Sequence, residues 1–150
     1  MVKLVRRREE VCIGCRLCEV HCLVEHSRSK DPVQAFNKEN PRAMARVHVE
    51  EQGALSFAVG CLHCEEPLCA YSCLTGAIRK LEDGRVMLDE SKCIGCWTCV
   101  LACPYGAVTM DRKRKVAVKC DLCPDRDTPA CVENCPNQAL LVIEEDISLG

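Results

Sequence analysis

The sequence is poor in aromatic residues and has no long apolar run. Its 150 residues include one Trp, two Tyr and two Phe, and 16 of the residues that count as hydrophobic are Cys. The organic core is therefore thin. Metal binding can hold such a chain together, because the free energy of ligand binding becomes free energy of folding. No stretch approaches the ~20 apolar residues of a membrane-spanning helix, so we expect no direct membrane insertion.

Other functional signatures are also missing. The sequence contains no phosphate-binding glycine loop, no nucleophile elbow and no carboxylate pair that would predict organic chemistry. The charges are mixed, with a net charge of -2, which gives no indication of nucleic-acid binding. Residues 1–10 are charged and lack the apolar segment of a signal peptide. We therefore expect a non-catalytic, cytoplasmic protein whose thiols stay reduced.

The cysteines are abundant and fall into four groups that together use all 16. Residues 93–104 have the spacing C-x2-C-x2-C-x3-C-P, which is the bacterial ferredoxin run for a 4Fe-4S cluster. In such a run the fourth cysteine binds the other cluster of a pair, so the motif predicts partner motifs. The four groups are Cys12, Cys15, Cys18 and Cys22; Cys61, Cys64, Cys69 and Cys73; Cys93, Cys96, Cys99 and Cys103; and Cys120, Cys123, Cys131 and Cys135.

Zinc is the main alternative metal. Structural zinc sites usually join two separated C-x2-C pairs, and the group at residues 120–135 can take that form. The triple spacing at residues 12–18 and 93–99 fits zinc poorly. Gly14 and Gly95 favour iron, because glycine lets the backbone turn tightly and bring its amides towards cluster sulfurs. We predict four 4Fe-4S clusters; a metal-stabilised interaction module with zinc or non-redox clusters is the alternative.

The segments around each group predict an α+β fold. Each unit reads as a short strand, a ligand loop, a helical turn that carries the fourth cysteine, and a second short strand. Asp83-Gly84 predicts a hairpin between residues 78–81 and 85–88. The basic residues 112–115 predict a second hairpin, which joins the third group to the fourth.

Residues 27–56 form an insert between the first and second groups. The insert is mostly polar, and Asp31-Pro32 and Asn40-Pro41 indicate loop, so we expect it to cross the surface. It either contacts a partner or only spans distance. Alternation at residues 46–50 predicts an edge strand. The widened loops at 65–67 and 124–130 are expected to face outward, and the histidines to be surface residues or hydrogen-bond donors; these are His21, His26, His48 and His63. Trp97 either shields a cluster from water or packs in the ordinary way.

The four motifs, in this order and with the second widened to C-x2-C-x4-C-x3-C, resemble the four-cluster iron-sulfur subunits of multi-subunit oxidoreductases. Residues 24–31 and 69–77 are most similar to the small subunit that serves carbon monoxide dehydrogenase, with the subunit of tungsten aldehyde oxidoreductase close behind. The resemblance implies a relay in a hetero-oligomer. Electrons would pass between a catalytic oxidoreductase subunit, of the carbon monoxide dehydrogenase, aldehyde or formate type, and a hydrogenase, flavin reductase or ferredoxin.

The resemblance also implies one polyferredoxin-type domain over residues 1–150, made of two nested ferredoxin-like units. The inner unit would span about 57–111, and the outer unit would join about 3–26 with 112–145. Spacing alone supports the inner pairing, whereas the outer pairing comes from the resemblance. The implied ligand sets are Cys61, Cys64, Cys69 and Cys103; Cys93, Cys96, Cys99 and Cys73; Cys12, Cys15, Cys18 and Cys135; and Cys120, Cys123, Cys131 and Cys22.

Overall fold

Short strands and short helices alternate along the chain, as the sequence predicts. The computed structural model describes residues 2–145. The strands are β1 (Val2–Arg7), β2 (Val47–Gln52), β3 (Leu55–Gly60), β4 (Ile78–Lys80), β5 (Val86–Leu88), β6 (Thr109–Asp111), β7 (Val116–Val118) and β8 (Leu140–Glu145). The α-helices are α1 (Leu17–Glu25), α2 (Pro32–Asn37), α3 (Leu68–Tyr71), α4 (Thr98–Ala102) and α5 (Ala130–Glu133). Within residues 2–145, no helix is long and apolar enough to cross a membrane.

Both predicted hairpins are present. β4 pairs with β5 across the Asp83-Gly84 turn, in which Gly84 has a φ of 83°. β6 pairs with β7, and the turn between them is held by Asp111. One carboxylate oxygen of Asp111 accepts hydrogen bonds from the backbone N–H groups of Lys113 and Arg114, each at 3.0 Å. A side chain that bonds the next backbone groups in this way stabilises a turn locally.

The two ends of the described chain are joined by a strand pair. β1 runs antiparallel to β8, from Val2 opposite Glu145 to Arg7 opposite Leu140. Val5 and Leu140 point into the interior and are 6% and 2% exposed. The strand character of β8 is a prediction that the structure confirms. No such signal marks β1 in the sequence, because its charged residues conceal the short buried segment.

Apolar side chains pack in two separate cores. The outer core contains Val5 and Leu140 with Val47, Val49 and Ala58 from the β2–β3 hairpin. The inner core is built on Ile78, Val86, Val108 and Ala117 from the other two hairpins. Cysteines contribute to both cores, so the sulfur atoms replace part of the aromatic packing that the sequence lacks.

The insert differs from the expected surface loop. Its alternating segment does form a strand, β2, but β2 pairs with β3 from Val47 opposite Gly60 to Gln52 opposite Leu55. Val47 and Val49 on this hairpin are buried in the outer core, so the last part of the insert belongs to the interior. Farther upstream, Asp31 caps α2 by accepting a hydrogen bond from the Gln34 backbone N–H at 2.9 Å.

A series of charged side chains connects the insert to residues near the third and fourth motifs. Arg46 donates to Asp121 at 2.7 Å, and its guanidinium also lies 3.9 Å from Glu90. Glu90 accepts in turn from Arg114 at 3.0 Å. Although burial raises the pKa of Asp121, the hydrogen bond from His26 and the positive charge of Arg46 outweigh it and hold that pKa well below its ordinary value. The series joins residues of the insert, the third motif and the fourth motif.

Candidate metal centres

The residue before the second cysteine has the same backbone conformation in all four motifs. Gly14, His63, Gly95 and Leu122 have φ values of 66°, 49°, 70° and 63°. This left-handed conformation costs ~1–2 kcal/mol for residues with a side chain, which explains the preference for glycine. A Cβ atom at Gly95 would also lie 2.5 Å from the Lys115 carbonyl oxygen. His63 and Leu122 adopt the turn without glycine, so the motif keeps its shape in the less regular groups.

A short helix follows each ligand loop, but its relation to the cysteines differs from the prediction. The third cysteine of each motif lies inside a helix; these residues are Cys18, Cys69, Cys99 and Cys131. The fourth cysteine lies in a helix only in the first motif, at Cys22. In the others the chain has already left the helix, as at Cys103, which has extended φ and ψ angles of -74° and 113°.

The second and third motifs meet at a cavity of about 130 Å³. Cys61, Cys64 and Cys69 line it together with Cys103. Its wall is mostly apolar and includes Leu62, Leu68, Val86, Tyr105 and Val108. The four thiols that the inner pairing groups together are therefore neighbours around one enclosed space.

The other cysteines of these two motifs also lie close together. Burial raises the pKa of Cys99 to about 11, and negative charge on Cys93, Cys73 and Cys96 raises it further. Two of these neighbours, Cys93 and Cys96, belong to the third motif, whereas Cys73 comes from the second. Cys93, Cys73 and Cys103 all pack against the inner core.

The first motif meets the end of the fourth. Cys12, Cys15 and Cys18 line a small cavity of about 20 Å³ together with Cys135. Val49, Ala58 and Leu140 close this space from the strands of the outer core. The Cβ atom that Gly14 lacks would lie 3.0 Å from a carboxylate oxygen of Glu51, so the hairpin sits tightly on the ligand loop.

The start of the fourth motif meets the end of the first. Burial raises the pKa of Cys22 above its ordinary range, and negative charge on Cys120, Cys131 and Cys123 raises it further. Burial likewise raises the pKa of Cys131 to about 12, with contributions from Cys120, Cys123 and then Cys18. Cysteines of both groups pack in or against the same outer core; these are Cys18, Cys22, Cys120, Cys131 and Cys135.

Backbone and hydroxyl groups donate hydrogen bonds to several of the sulfur atoms. The Arg46 N–H donates to Cys22 at 3.1 Å, and the Ala139 N–H donates to Cys135 at 3.2 Å. The Thr98 hydroxyl donates to Cys96 at 3.4 Å. Weaker backbone contacts of 3.4 Å reach Cys61, Cys93 and Cys120. The motif spacing identifies the His63 and Leu122 amides, which precede the second cysteine, whereas the donors from Arg46, Ala117 and Ala139 are brought close only by the fold.

Among the histidines, which were expected to be surface residues or hydrogen-bond donors, His63 departs most clearly from the expectation. His63 is only 4% exposed, and burial, followed by the charges of Lys119 and Arg7, lowers its pKa to about 3. Its Nδ1 accepts from the Val86 backbone N–H at 3.0 Å, so His63 is an acceptor rather than only a donor. His26 is half-buried between the Cys22 carbonyl oxygen at 2.7 Å and Asp121 at 3.1 Å.

The widened loops also follow the expectation only in part. Glu65 and Glu66 are exposed, but Pro67 at the start of α3 is buried. In the fourth motif, Pro124 is exposed whereas Ala130 is buried as α5 begins. The apolar ends of both loops pack inward because each leads directly into the helix that carries the third cysteine.

The spacing of the thiols fits a cluster better than a single ion. All 16 cysteines are free thiols within the described residues. A tetrahedral zinc ion with Zn–S bonds of ~2.3 Å brings its four sulfurs within ~3.8 Å of one another. Over residues 2–145, the one group of three or more potential ligand atoms within 4.8 Å of each other is His26, Asp121 and Cys123. No three thiols of one set come that close, so each set leaves room between its sulfurs.

The volume of the Cys61 cavity also favours a cluster over a single metal ion. Its 130 Å³ exceeds the space of a single ion, since ~10–15 Å³ of such space already holds one water molecule. Buried thiols with raised pKa values are poor anions on their own, and bound metal supplies the positive charge that lets them act as thiolates. The donor set, its separation and its apolar surroundings therefore fit a 4Fe-4S cluster.

Comparisons with known proteins agree with this chemistry. The family model for the 4Fe-4S dicluster domain matches residues 52–145. The chain is 44% identical over 132 residues to the Escherichia coli (strain K12) protein YsaA, covering 86% of this chain and 82% of YsaA. It is 38% identical over 151 residues to the electron transport protein HydN of the same strain, covering 90% of this chain and 84% of HydN.

A solved structure has a similar fold. A chain of the BamBC active-site complex of benzoyl coenzyme A reductase matches with a TM-score of 0.53 and 25% identity. The match covers 97% of the present chain and 80% of the other. These findings indicate a small ferredoxin-like fold of mixed helices and strands, with relatives that are iron-sulfur and electron transport proteins.

Proposed function

Because the chain belongs to the 4Fe-4S dicluster domain family, we propose that it is a relay subunit with four 4Fe-4S sites, bound to a catalytic oxidoreductase subunit and a second redox protein. The observation that supports this most strongly is the meeting of sulfurs from different motifs, such as Cys103 with the Cys61 loop. A bound 4Fe-4S cluster takes up and releases one electron at a potential set by its surroundings. The chain itself holds the sites, shields them and brings them near one another.

The proposed ligand sets follow the nested pairing. The inner sets are Cys61, Cys64, Cys69 and Cys103, and Cys93, Cys96, Cys99 and Cys73. The outer sets are Cys12, Cys15, Cys18 and Cys135, and Cys120, Cys123, Cys131 and Cys22. The inner unit of about 57–111 and the outer unit of about 3–26 with 112–145 would then form one domain. The shared cavities at Cys103 and Cys135, and the neighbours of Cys99 and Cys22, support these sets.

The sets also have an order along the molecule. Burial raises the pKa of Cys120 to about 11, and negative charge on Cys61 raises it further, which supports neighbouring positions for the Cys61 and Cys120 sets. Negative charge on Cys18 likewise raises the pKa of Cys131, which supports neighbouring positions for the Cys120 and Cys12 sets. The proposed order is the Cys93 set, the Cys61 set, the Cys120 set and the Cys12 set. Electrons would enter and leave the chain at the two end sets.

Exposed apolar residues surround the end sets. Ile94 and Leu101, next to the Cys93 set, are 64% and 88% exposed, and Ile13, next to the Cys12 set, is 61% exposed. Exposed apolar side chains are candidate contacts for a partner where they gather into a patch. We therefore assign the catalytic subunit and the second redox protein to these two ends. Carbon monoxide dehydrogenase and tungsten or molybdenum aldehyde or formate enzymes are the proposed catalytic partners, with hydrogenase, flavin reductase or ferredoxin as the second.

Metal analysis and electron uptake test this function together. Protein prepared without oxygen should contain about sixteen iron and sixteen acid-labile sulfide per chain, as four cubane clusters require. The chain alone should exchange electrons with a viologen but should turn over neither carbon monoxide nor aldehyde. Addition of the catalytic partner should couple oxidation of its substrate to bleaching of the cluster absorbance. Zinc in place of iron and sulfide would exclude the relay function.

A further inference from the structure

Lys119 places a buried ammonium group between the inner and outer units. The residue is 2% exposed. Its Nζ donates to the carbonyl oxygen of Val86, on β5 of the inner core, and to that of Cys120 at 3.1 Å, in the fourth motif. Lysine offers three donors and no acceptor, so these two carbonyl groups suit its charged form. The head of Lys119 therefore lies where the two units meet.

The position of Lys119 is fixed through Val86. The Val86 backbone N–H donates to His63 Nδ1 at 3.0 Å, while the Val86 carbonyl accepts from Lys119. His63 lies in the ligand loop between Cys61 and Cys64, and Val86 is 1% exposed. The N–H group of buried Val86 thus binds the ligand loop of the second motif, and its carbonyl oxygen binds the ammonium group of Lys119. Rotation of the lysine head would leave the Val86 carbonyl without this partner.

The charge of Lys119 has no carboxylate partner among the described residues, whose ion pairs all involve other cations. An isolated buried charge is costly unless an opposite charge balances it. The cysteine thiolates of the adjacent sites are the candidates. Val86, whose carbonyl oxygen accepts from Lys119, lines the cavity shared by Cys61, Cys64, Cys69 and Cys103. The other acceptor is the carbonyl oxygen of Cys120 itself, at 3.1 Å.

We propose that Lys119 is a positioning residue that raises the reduction potentials of the two middle sites, the Cys61 set and the Cys120 set. This inference rests on the proposed function. A fixed positive charge favours the state of a neighbouring site that holds one more electron, and burial protects this effect from screening by water and salt. Both middle sites face the same charge, so their potentials stay raised together and electrons can pass the junction between the units.

Three substitutions at Lys119 separate charge from hydrogen bonding. Lys119→Gln keeps a donor but removes the charge, Lys119→Met removes both, and Lys119→Arg keeps both. Lys80→Gln is the matched control, because Lys80 also donates to a carbonyl of the second motif, that of Glu65 at 2.7 Å, but in an exposed position. Its charge is screened by solvent and should have little effect on the sites.

The measurement is a potentiometric titration of the full iron-loaded chain, followed by electron paramagnetic resonance and film voltammetry. In Lys119→Gln and Lys119→Met, two of the four one-electron waves should move to lower potential. At a given potential the ratio of reduced to oxidised site should drop about tenfold or more, which corresponds to ~59 mV for a one-electron couple. Lys119→Arg and Lys80→Gln should leave all four waves in place.

Two outcomes would overturn the role of Lys119. One is unchanged waves in Lys119→Gln with iron content intact, and the other is an equal shift in Lys80→Gln. A purely structural role would lower iron content without moving the waves of the sites that remain, and Lys119→Met provides a second neutral variant if Lys119→Gln loses iron. Four one-electron waves in the unsubstituted chain support the relay independently, so failure of this inference is distinguishable from failure of the proposed function.

Discussion

At the scale of single residues, cysteine spacing predicted the ligand candidates but not the groups that surround them. Gly14 and Gly95 were predicted to make tight turns, and both have positive φ angles. His63 makes the same turn, yet nothing in the sequence distinguishes it from a surface histidine. Its burial depends on Val86, 23 residues away, and that contact forms only when the inner hairpin closes. The sequence does not reveal the burial of Lys119 either, since lysine usually lies on the surface.

Gly95→Ala should disrupt the third ligand loop more than left-handed strain alone can explain. The added Cβ would meet the Lys115 carbonyl oxygen at 2.5 Å, so the β6–β7 hairpin would have to move. We expect partial loss of iron from the Cys93 set and a clear decrease in melting temperature. Metal analysis and thermal unfolding under anaerobic conditions measure both quantities.

Gly53→Ala is the matched control for this substitution. Gly53 also has a positive φ, of 61°, but a Cβ there would have no atom within 4 Å. Its cost should be limited to left-handed strain of ~1–2 kcal/mol, with iron content unchanged. Equal effects of the two substitutions would show that contact with Lys115 is unimportant.

At the scale of the elements, hairpins with strong turn signals were predictable and packing between distant segments was not. The Asp83-Gly84 turn and the basic turn at 112–115 form where the sequence placed them. The β2–β3 hairpin was recognised only through its first strand, because β3 leads into the second motif without a turn signal of its own. Its apolar residues Val47 and Val49 pack in the outer core, which a local pattern cannot reveal.

Leu140→Ala should weaken the pairing of β1 with β8. Leu140 is among the largest fully buried side chains, and its truncation leaves a cavity in the outer core. Such substitutions cost ~2–5 kcal/mol. Because Leu140 also closes the cavity beside Cys135, iron should be lost from the outer sites before the inner ones. Thermal unfolding and timed removal of iron by a chelator test this order.

Leu141→Ala provides the control on the same strand. Successive side chains of a strand point to opposite faces, and Leu141 is only partly buried. The decrease in melting temperature should be smaller than for Leu140→Ala, and the order of iron loss should be unchanged. A larger effect at Leu141 would contradict the packing described for β8.

At the scale of the whole molecule, the proposed nested pairing would require the two ends of the described chain to come together, as β1 and β8 do. The proposed inner sets all lie between Cys61 and Cys103, whereas the proposed outer sets would join the first motif to the fourth. Spacing supported only the inner pairing. The outer one depends on proximity across more than a hundred residues, such as that of Cys18 and Cys135, which line the same cavity.

Cys135→Ser tests the pairing directly. Under nesting it should damage the site of the Cys12 loop and leave the inner sites intact. A tandem arrangement, with the third motif paired to the fourth, predicts damage at the Cys93 loop instead. Electron paramagnetic resonance of the reduced variant distinguishes the two, once signals are assigned with substitutions in each loop. Loss of the Cys93-loop signal with retention of the Cys12-loop signal would rule out nesting.

Cys103→Ser is the corresponding inner control. Cys103 lines the cavity of the Cys61 set, so this variant should lose that site and keep the signal of the Cys12 loop. The two variants together should therefore give complementary losses. Loss of the Cys12-loop signal in both would mean that the sites do not assemble independently, and the Cys135 result could not then be attributed to a single ligand.

The pairing of β1 with β8 also fixes the order in which the proposed sites can close during biosynthesis. The first motif is translated before the other three, whereas β8, the partner of β1, is translated after all four. At ~5–20 residues per second, the inner cysteines are all translated seconds before the proposed outer sites can close. The first motif therefore waits longest for its enclosure, and during that interval Cys12, Cys15 and Cys18 are open to oxidants and to competing metals.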